Sequence, residues 1–381
     1  MVTGPAVGSA ATPPPTTSWS PALAEGETAN VVVDAGVARI QPMPGNRGAR
    51  SGLLTLAPHV LPVDSDKVAV AVDADIPPGT SVAVDLRGRR SNGRWSEWVS
   101  ISAPGSASFP QPTREVQARI ALSAESGAGP VVRGLTLTAY PAETTAPGTL
   151  DTVDHSPPLT FKVFATREGL VGGTTANGHV IVERDHFVAL PSRRALAPRD
   201  TGDYTVEVCA PTKRCAFAPV WDVGPWNIRD DYWNPPHIRE QWNDLPHGMP
   251  EAQAAFFDGY HDGKDGYGRT VLNPAGIDLA DGLFWDALAL KDNSWVRVTY
   301  LWTGSTTSLA AVRVPTPVKI RAAPNPSARV VGMAAPGASV PAHCTVGEWV
   351  DIGGSRYLPA AAVATPKGLA PCPQDPADAA G

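Results

Sequence analysis

Long apolar runs are missing from this 381-residue chain. Nothing approaches the ~20 consecutive apolar residues of a spanning helix, so no membrane span is expected. Basic residues are outnumbered, 31 Lys and Arg against 37 Asp and Glu, for a formal net charge of −6. Without a basic stripe there is no electrostatic footprint for nucleic acid. Sustained helical periodicity is also absent beyond a few short stretches, which argues against a helical bundle. Cysteines number four, with no Cys-x-x-Cys pair and no histidine at ligand spacing, so zinc is not expected. The acids of "DGYHDGKDG" (258–266) fall at i, i+4 and i+7 without a closing Glu, which fails the EF-hand pattern. No metal and no cofactor are expected.

Glycine and proline are plentiful, 36 and 40 residues, and favour strands, turns and linkers over helices. Alternation marks the strands directly, in "KVAVAVDA", "SVAVDLRG", "YTVEVCA" and "WVRVTYLW". The fold class is therefore mainly β. Cys209 and Cys215 flank "APTKR" between two strand-like runs, as a disulfide across a hairpin would; Cys344 and Cys372 then pair by elimination. Two disulfides imply an oxidising compartment, and the expected location is extracellular, associated with the cell wall. The opening "MVTGPAVGSAATPPPTTS" has no basic region and no apolar core, but looks like the small-residue end of an export signal.

Composition divides the chain. Residues 1–45 are rich in Ala, Pro, Thr and Gly and are expected to be disordered. Residues 46–143 carry short, regularly spaced strands, which read as a β-sandwich accessory domain. Its "RSNGRWSEWVSI" places Trp95 and Trp98 either on sugar or in the core. A Pro-bearing linker follows at 144–158, then a central domain at 159–304 with an insertion at 226–275, a linker at 305–312, and a last domain with a disulfide-tied tail at 313–381.

The N-terminal domain resembles the galactose-binding-like sandwiches of secreted hydrolases. The run "VKIRAAPNPSARVVG", with "EWVDIGG" and "RYLPAAAVA" after it, resembles a bacterial SH3-like domain, a small barrel that binds cell-wall peptide or docks onto a partner domain. In the middle, "FKVFATREGLVGGTTANG", "FVALPSR", "PVWDVGP", "GIDLADGLFWDALAL" and "WVRVTYLW" follow one another in an order that resembles the double-psi β-barrel of rare lipoprotein A, expansins and family 45 endoglucanases. The resemblance implies that Asp222, in the Asp-x-Gly-Pro turn, and Asp278, in the Asp-Leu-Ala start, share one groove. Residue 179 is His where rare lipoprotein A has Glu, and Val223 replaces its Arg.

The residues carry their own chemical reading. Asp222 ends a strand between Trp221 and Trp226, whose bulk would desolvate it and favour the protonated acid. Asp278 precedes "LADGLFWDALAL", where it would cap a helix and stay ionised. Two carboxyls in such different surroundings are what glycosidic chemistry requires. Asp222 and Asp278 are thus the candidate catalytic residues. Trp221, Trp226, Tyr232, Trp233 and Thr166 are the candidate substrate contacts; Trp226, Tyr232 and Trp233 stand, with Trp242, in a loop among Pro, Asn and Asp. A mini-core under that loop is the competing reading of the aromatics. The expected function is a wall-directed protein cleaving peptidoglycan strands as a lytic transglycosylase, acting as a monomer on a polysaccharide partner. The alternative is an expansin-like protein that binds or loosens glycan without cleaving it.

Overall fold

The computed structural model describes residues 15–42, 50–142, 156–305 and 308–373. The chain forms two compact units, Met1–Gly148 and Thr149–Gly381, and both are mainly β. Among the described residues no helix is long and apolar enough to cross a membrane.

In the first unit the strands join in the order Glu27–Ala29, Arg50–Thr55, Gly105–Ala124, His59–Asp75, Val131–Pro141, Val37–Ile40 and Val31–Asp34, with Thr80–Gly88 along the second half of Gly105–Ala124. Two strands are long, 17 and 20 residues, and each pairs with different partners along its length. One hydrogen-bonded sheet therefore does what two stacked sheets would do in a sandwich. It surrounds one core that includes Val68, Val84, Ile120 and Leu137.

The expectation of disorder over 1–45 is corrected for the described part. Thr17–Trp19 pairs with Val131–Pro141, and Val31–Asp34 forms a hairpin with Val37–Ile40. The turn is Ala35-Gly36, both at positive φ, the geometry that a two-residue hairpin needs. Composition over the whole window hid the alternation of "NVVVDAGVARI". Residues 1–14 and 43–49 lie outside the described residues. Trp95 and Trp98 are core residues: the Arg87 guanidinium lies 4.4 Å and 4.3 Å from their rings, and both rings are buried.

In the second unit six strands close a ring: β1 (Leu159–Arg167), β2 (Val188–Leu190), β3 (Thr205–Cys209), β4 (Cys215–Val223), β5 (Ala275–Leu279) and β6 (Ser294–Tyr300). Pairing runs β2–β5–β1–β6–β3–β4, and β4 returns to β2. The pairs β1–β5 and β2–β4 are parallel and the rest antiparallel. Only the second half of β4 meets β2, so its first half, Cys215–Phe217, keeps an edge open within the ring. Val163, Ala165, Val188, Leu190, Val206, Val208, Ile277 and Leu279 fill the interior, and the alternate positions face outward. Cys209 and Cys215 are directly opposed on β3 and β4 and form the expected hairpin disulfide.

The insertion contributes a helix, α1 (Glu251–Asp258). The chain ahead of it lies against β5 at Gly276, where any Cβ would stand 2.4 Å from Pro250 Cγ. Buried acids order this loop: Asp230 pairs with Arg239 and accepts from the Glu251 amide, and Asp265 accepts from the Tyr267 and Arg269 amides.

After the barrel, Val330–Ala334 pairs in parallel with β4. The approach is so close at Gly332 that a Cβ would come within 1.6 Å of the Cys215 carbonyl oxygen, so only glycine fits. Val318–Arg321, Tyr357–Pro359, Trp349–Asp351 and Cys344–Val346 continue that sheet, and Leu309–Val312, Ser339–Pro341 and Val363–Ala364 form a second. The expected linker at 305–312 is corrected, since Leu309–Val312 belongs to this C-terminal module. Cys344 and Cys372 form the second disulfide.

Candidate active site

Register builds the site. On β5, Asp278 stands opposite Thr166 of β1 on one side and Ala189 of β2 on the other. Ala189 also stands opposite Asp222 of β4. Thr166, Asp278, Ala189 and Asp222 therefore form one row across four strands, with a small side chain between the two acids. The Thr166 hydroxyl donates to Asp278 Oδ1. Gly224, just beyond Asp222, lies beside Asp278: a Cβ on it would be 3.8 Å from Oδ2.

A third carboxyl completes the cluster. Glu168 follows Thr166 by two residues, and its amide donates to the Leu279 carbonyl at 2.9 Å, which extends the β1–β5 pairing. Its side chain is 7% exposed and in hydrogen-bond contact with Asp222, while Oε2 has no partner among the described residues. Two carboxyls in such contact need one proton between them.

The "TTANG" loop serves Asp222. The Ala176 amide donates to Asp222 Oδ1 at 2.8 Å, as does the Val223 amide at 2.7 Å. Asn177 fixes the loop by donating to the Ala197 carbonyl and accepting from the Thr175 hydroxyl and the His179 amide. His179 Nε2 lies 2.6 Å from Asp185 Oδ2.

All three carboxyls are pushed up. Burial lifts Asp278 to about 7, with the Thr166 bond opposing and the Asp222 charge adding. Burial also lifts Glu168 far above the carboxylate range, with the charge of Asp222 reinforcing it. Asp222 is raised by burial but held back by Glu168 and the two amides. Within the pair, then, Glu168 keeps the proton and Asp222 is the anion. For Asp185, burial acts upward, and the bonds from His179 and the Val182 and His186 amides outweigh it and hold the group low.

The helix cap expected of Asp278 is corrected. Asp278 lies in a strand, and the helical turn, Leu283–Ala287, begins five residues later with Gly282 ahead of it. Parallel pairing with β1 claims the segment, so the carboxyl meets Thr166 and neighbouring acids instead of free amides.

The aromatics are placed differently from the expectation as well. Trp221 is buried against His179 and Phe187, and its N–H donates to the Thr201 carbonyl at 2.9 Å. The pairing of β2 with β4 shifts register at Trp221, the extra residue between Val220 and Asp222, and its ring meets His179, Phe187 and Thr201 while Asp222 meets the Ala176 and Val223 amides. Tyr232 and Trp233 are both 0% exposed. The Tyr232 hydroxyl donates to the Gly276 carbonyl and accepts from Tyr300, and Trp233 stacks on Tyr300 and meets Trp302 edge-on. As substrate contacts they are corrected to a mini-core, because no ring face remains to meet a ligand. Trp226 is half-buried, packs on Ala252, Ala255 and Val271, and donates to Asn273 Oδ1 at 3.1 Å. Thr166 is the one candidate contact that touches a candidate acid.

Glu168 escaped sequence reasoning. The signal was its spacing: Thr166 and Glu168 stand two apart, on one face of a strand that runs beside Asp278. Among the described residues, two groups bring potential metal ligands within 4.8 Å, Glu207 with Cys209 and Cys215, and Asp351 with Cys344 and Cys372. In both, the sulfurs are tied in disulfides and offer no thiolate.

Residues 159–299, from the start of β1 to the last residue but one of β6, match a family described as Domain of unknown function (DUF8814). No curated protein matches the chain.

Proposed function

We propose that this is an exported wall protein that cleaves peptidoglycan strands by acid–base chemistry of the lytic transglycosylase type. The observation that carries the reading is the row in which half-buried Asp278 and Asp222 flank Ala189, with desolvation pushing Asp278 up to about 7. A general acid works best with a pKa near the working pH. Asp278 donates its proton to the glycosidic oxygen as the bond from C1 to that oxygen breaks. The Asp222 carboxylate stabilises positive charge developing at C1. The Asp278 carboxylate then takes the proton of the muramic C6 hydroxyl as that oxygen bonds to C1. The nucleophile is already tethered to the substrate, so proximity replaces an activated water. Glu168 is too weak an acid to serve as donor; as a neutral donor it holds Asp222 ionised.

Support for the double-psi reading comes from the closed six-strand ring with its two parallel pairings. The two disulfides fit an oxidising compartment. The SH3-like module in this reading docks on β4 and brings no catalytic group of its own.

The test is release of anhydromuropeptides from purified sacculi. The full chain is expected to produce them, and Asp278→Asn is expected to abolish them with folding intact. Binding to sacculi without any product from the unaltered chain would replace this reading with the expansin-like one.

A further inference from the structure

β1 and β6 run side by side on the outer wall of the barrel, and their outward residues pair in rows: Thr160 with Thr299, Lys162 with Arg297, Phe164 with Trp295. Contacts confirm the shared face. The Thr160 and Thr299 hydroxyls are 2.8 Å apart, the Phe164 and Trp295 rings 5.5 Å, and Lys162 Nζ sits 5.3 Å from the Trp295 ring. Phe257, at the end of α1, is 57% exposed and stacks on Trp295 at 6.4 Å. One outward position beyond Phe164 is Thr166, which holds Asp278. Outward residues are about 6.6 Å apart along a strand, so the aromatic row lies one step from the candidate acid and the cationic row about 13 Å from it.

Lys162 and Arg297 are both exposed and directly opposed, an unfavourable like-charge pair in a sheet. Neither has an acidic partner among the described residues. The acid on the neighbouring strand, Glu207, stands opposite Thr299 and is paired with Arg356. An uncompensated cationic pair beside an open aromatic ledge suits a ligand that is flat in one part and anionic in the next.

We propose, building on the glycan-cleaving reading, that this face is a substrate track for an anionic glycan. A sugar ring lies on Phe164, Trp295 and Phe257, a carboxylate substituent of the strand meets Lys162 and Arg297, and the scissile bond reaches Asp278. The track selects a carboxylate-bearing polymer over a neutral one such as cellulose or chitin.

The test measures binding by the full-length Asp278→Asn chain, which removes turnover from the assay. The probes are peptidoglycan glycan strands stripped of peptide, which keep their lactyl carboxylates, and chitin oligosaccharides of the same length. The stripped strands are expected to bind more tightly, with affinity falling as salt rises. Lys162→Ala with Arg297→Ala is expected to weaken that binding at least tenfold and leave the chitin probe unchanged. Trp295→Ala is expected to weaken both. Both charged positions are exposed and repel each other, so a melting temperature that is unchanged or slightly raised is expected and confirms folding. Equal binding of the two probes, or stripped-strand binding that survives the double substitution, overturns the track. Sacculus turnover separates the two readings. Strands bound through Lys162 and Arg297 but never cleaved by the unaltered chain would sink the cleavage reading and leave the track. Cleavage and binding that ignore the double substitution would sink the track alone.

Discussion

Asp222 and Asp278 flank one residue: Ala189 is in register with both, in parallel across β4 and antiparallel across β5. The two acids belong to strands that do not pair with each other, and Ala189 is the residue between them in the row. Ala189 is 2% exposed. Ala189→Leu is expected to drive the acids apart and to cost about 1–3 kcal/mol through overpacking. Turnover is expected to fall more steeply than stability, which sacculus digestion and urea unfolding on the same sample will compare.

Stability is expected to decline as pH rises from about 4 to about 7. The Asp278 carboxyl keeps its proton in the folded chain up to about 7, whereas unfolded Asp releases it near 3.9. Its contribution is therefore whole below the unfolded value and lost as pH passes through the folded one. At about 1.4 kcal/mol per unit the ceiling is near 4 kcal/mol, reduced by the partial access of this side chain to water. Asp278→Asn is expected to flatten that part of the slope in melting temperatures taken from pH 4 to pH 8. Glu168 and Asp222 act in the same direction, so some slope is expected to remain.

The two disulfides are expected to differ in weight. Cys344–Cys372 closes 28 residues and Cys209–Cys215 only 6. Chain-entropy arguments give about 3.6 and about 2.2 kcal/mol respectively. Replacing each pair by serine and measuring unfolding will check the ranking. A larger loss from the hairpin pair would show that its constraint on β3 and β4 matters beyond loop closure.

Trp233→Ala is expected to cost about 3–5 kcal/mol, as for a large buried aromatic. Its ring is sealed between Tyr300 and Trp302. Glycan affinity per folded molecule is expected to stay unchanged. Loss of affinity at unchanged stability would return Trp233 to the ligand-binding surface.

The cysteine pairing was legible because a separation of six residues, with only "APTKR" between two alternating runs, leaves a hairpin little choice. The closed barrel was legible through the order of its motifs. The helix read into "GIDLADGLFWDALAL" was not, because Leu279, Leu283, Ala287 and Leu290 share a helical spacing that local sequence cannot distinguish from a strand followed by a turn. A long-range parallel partner, β1, decided between them. That choice reversed the expected direction of the Asp278 shift, from an ionised cap to a raised acid. The tryptophans misled for a related reason: Trp221 neighbours Asp222 in the chain, but it is the extra residue at a register shift and packs on His179 and Phe187 instead.

The sequence by itself determined that this chain is mainly β, doubly disulfide-bonded, and equipped with carboxylates at Asp222 and Asp278. These follow from alternation, spacing and residue type, all of which are local. Only the tertiary structure decided that the two acids meet across Ala189, that Glu168 joins them, and that Tyr232 and Trp233 lie in a core. Register between strands distant in the chain sets which side chains share a face and which lose water, and no local pattern encodes that register.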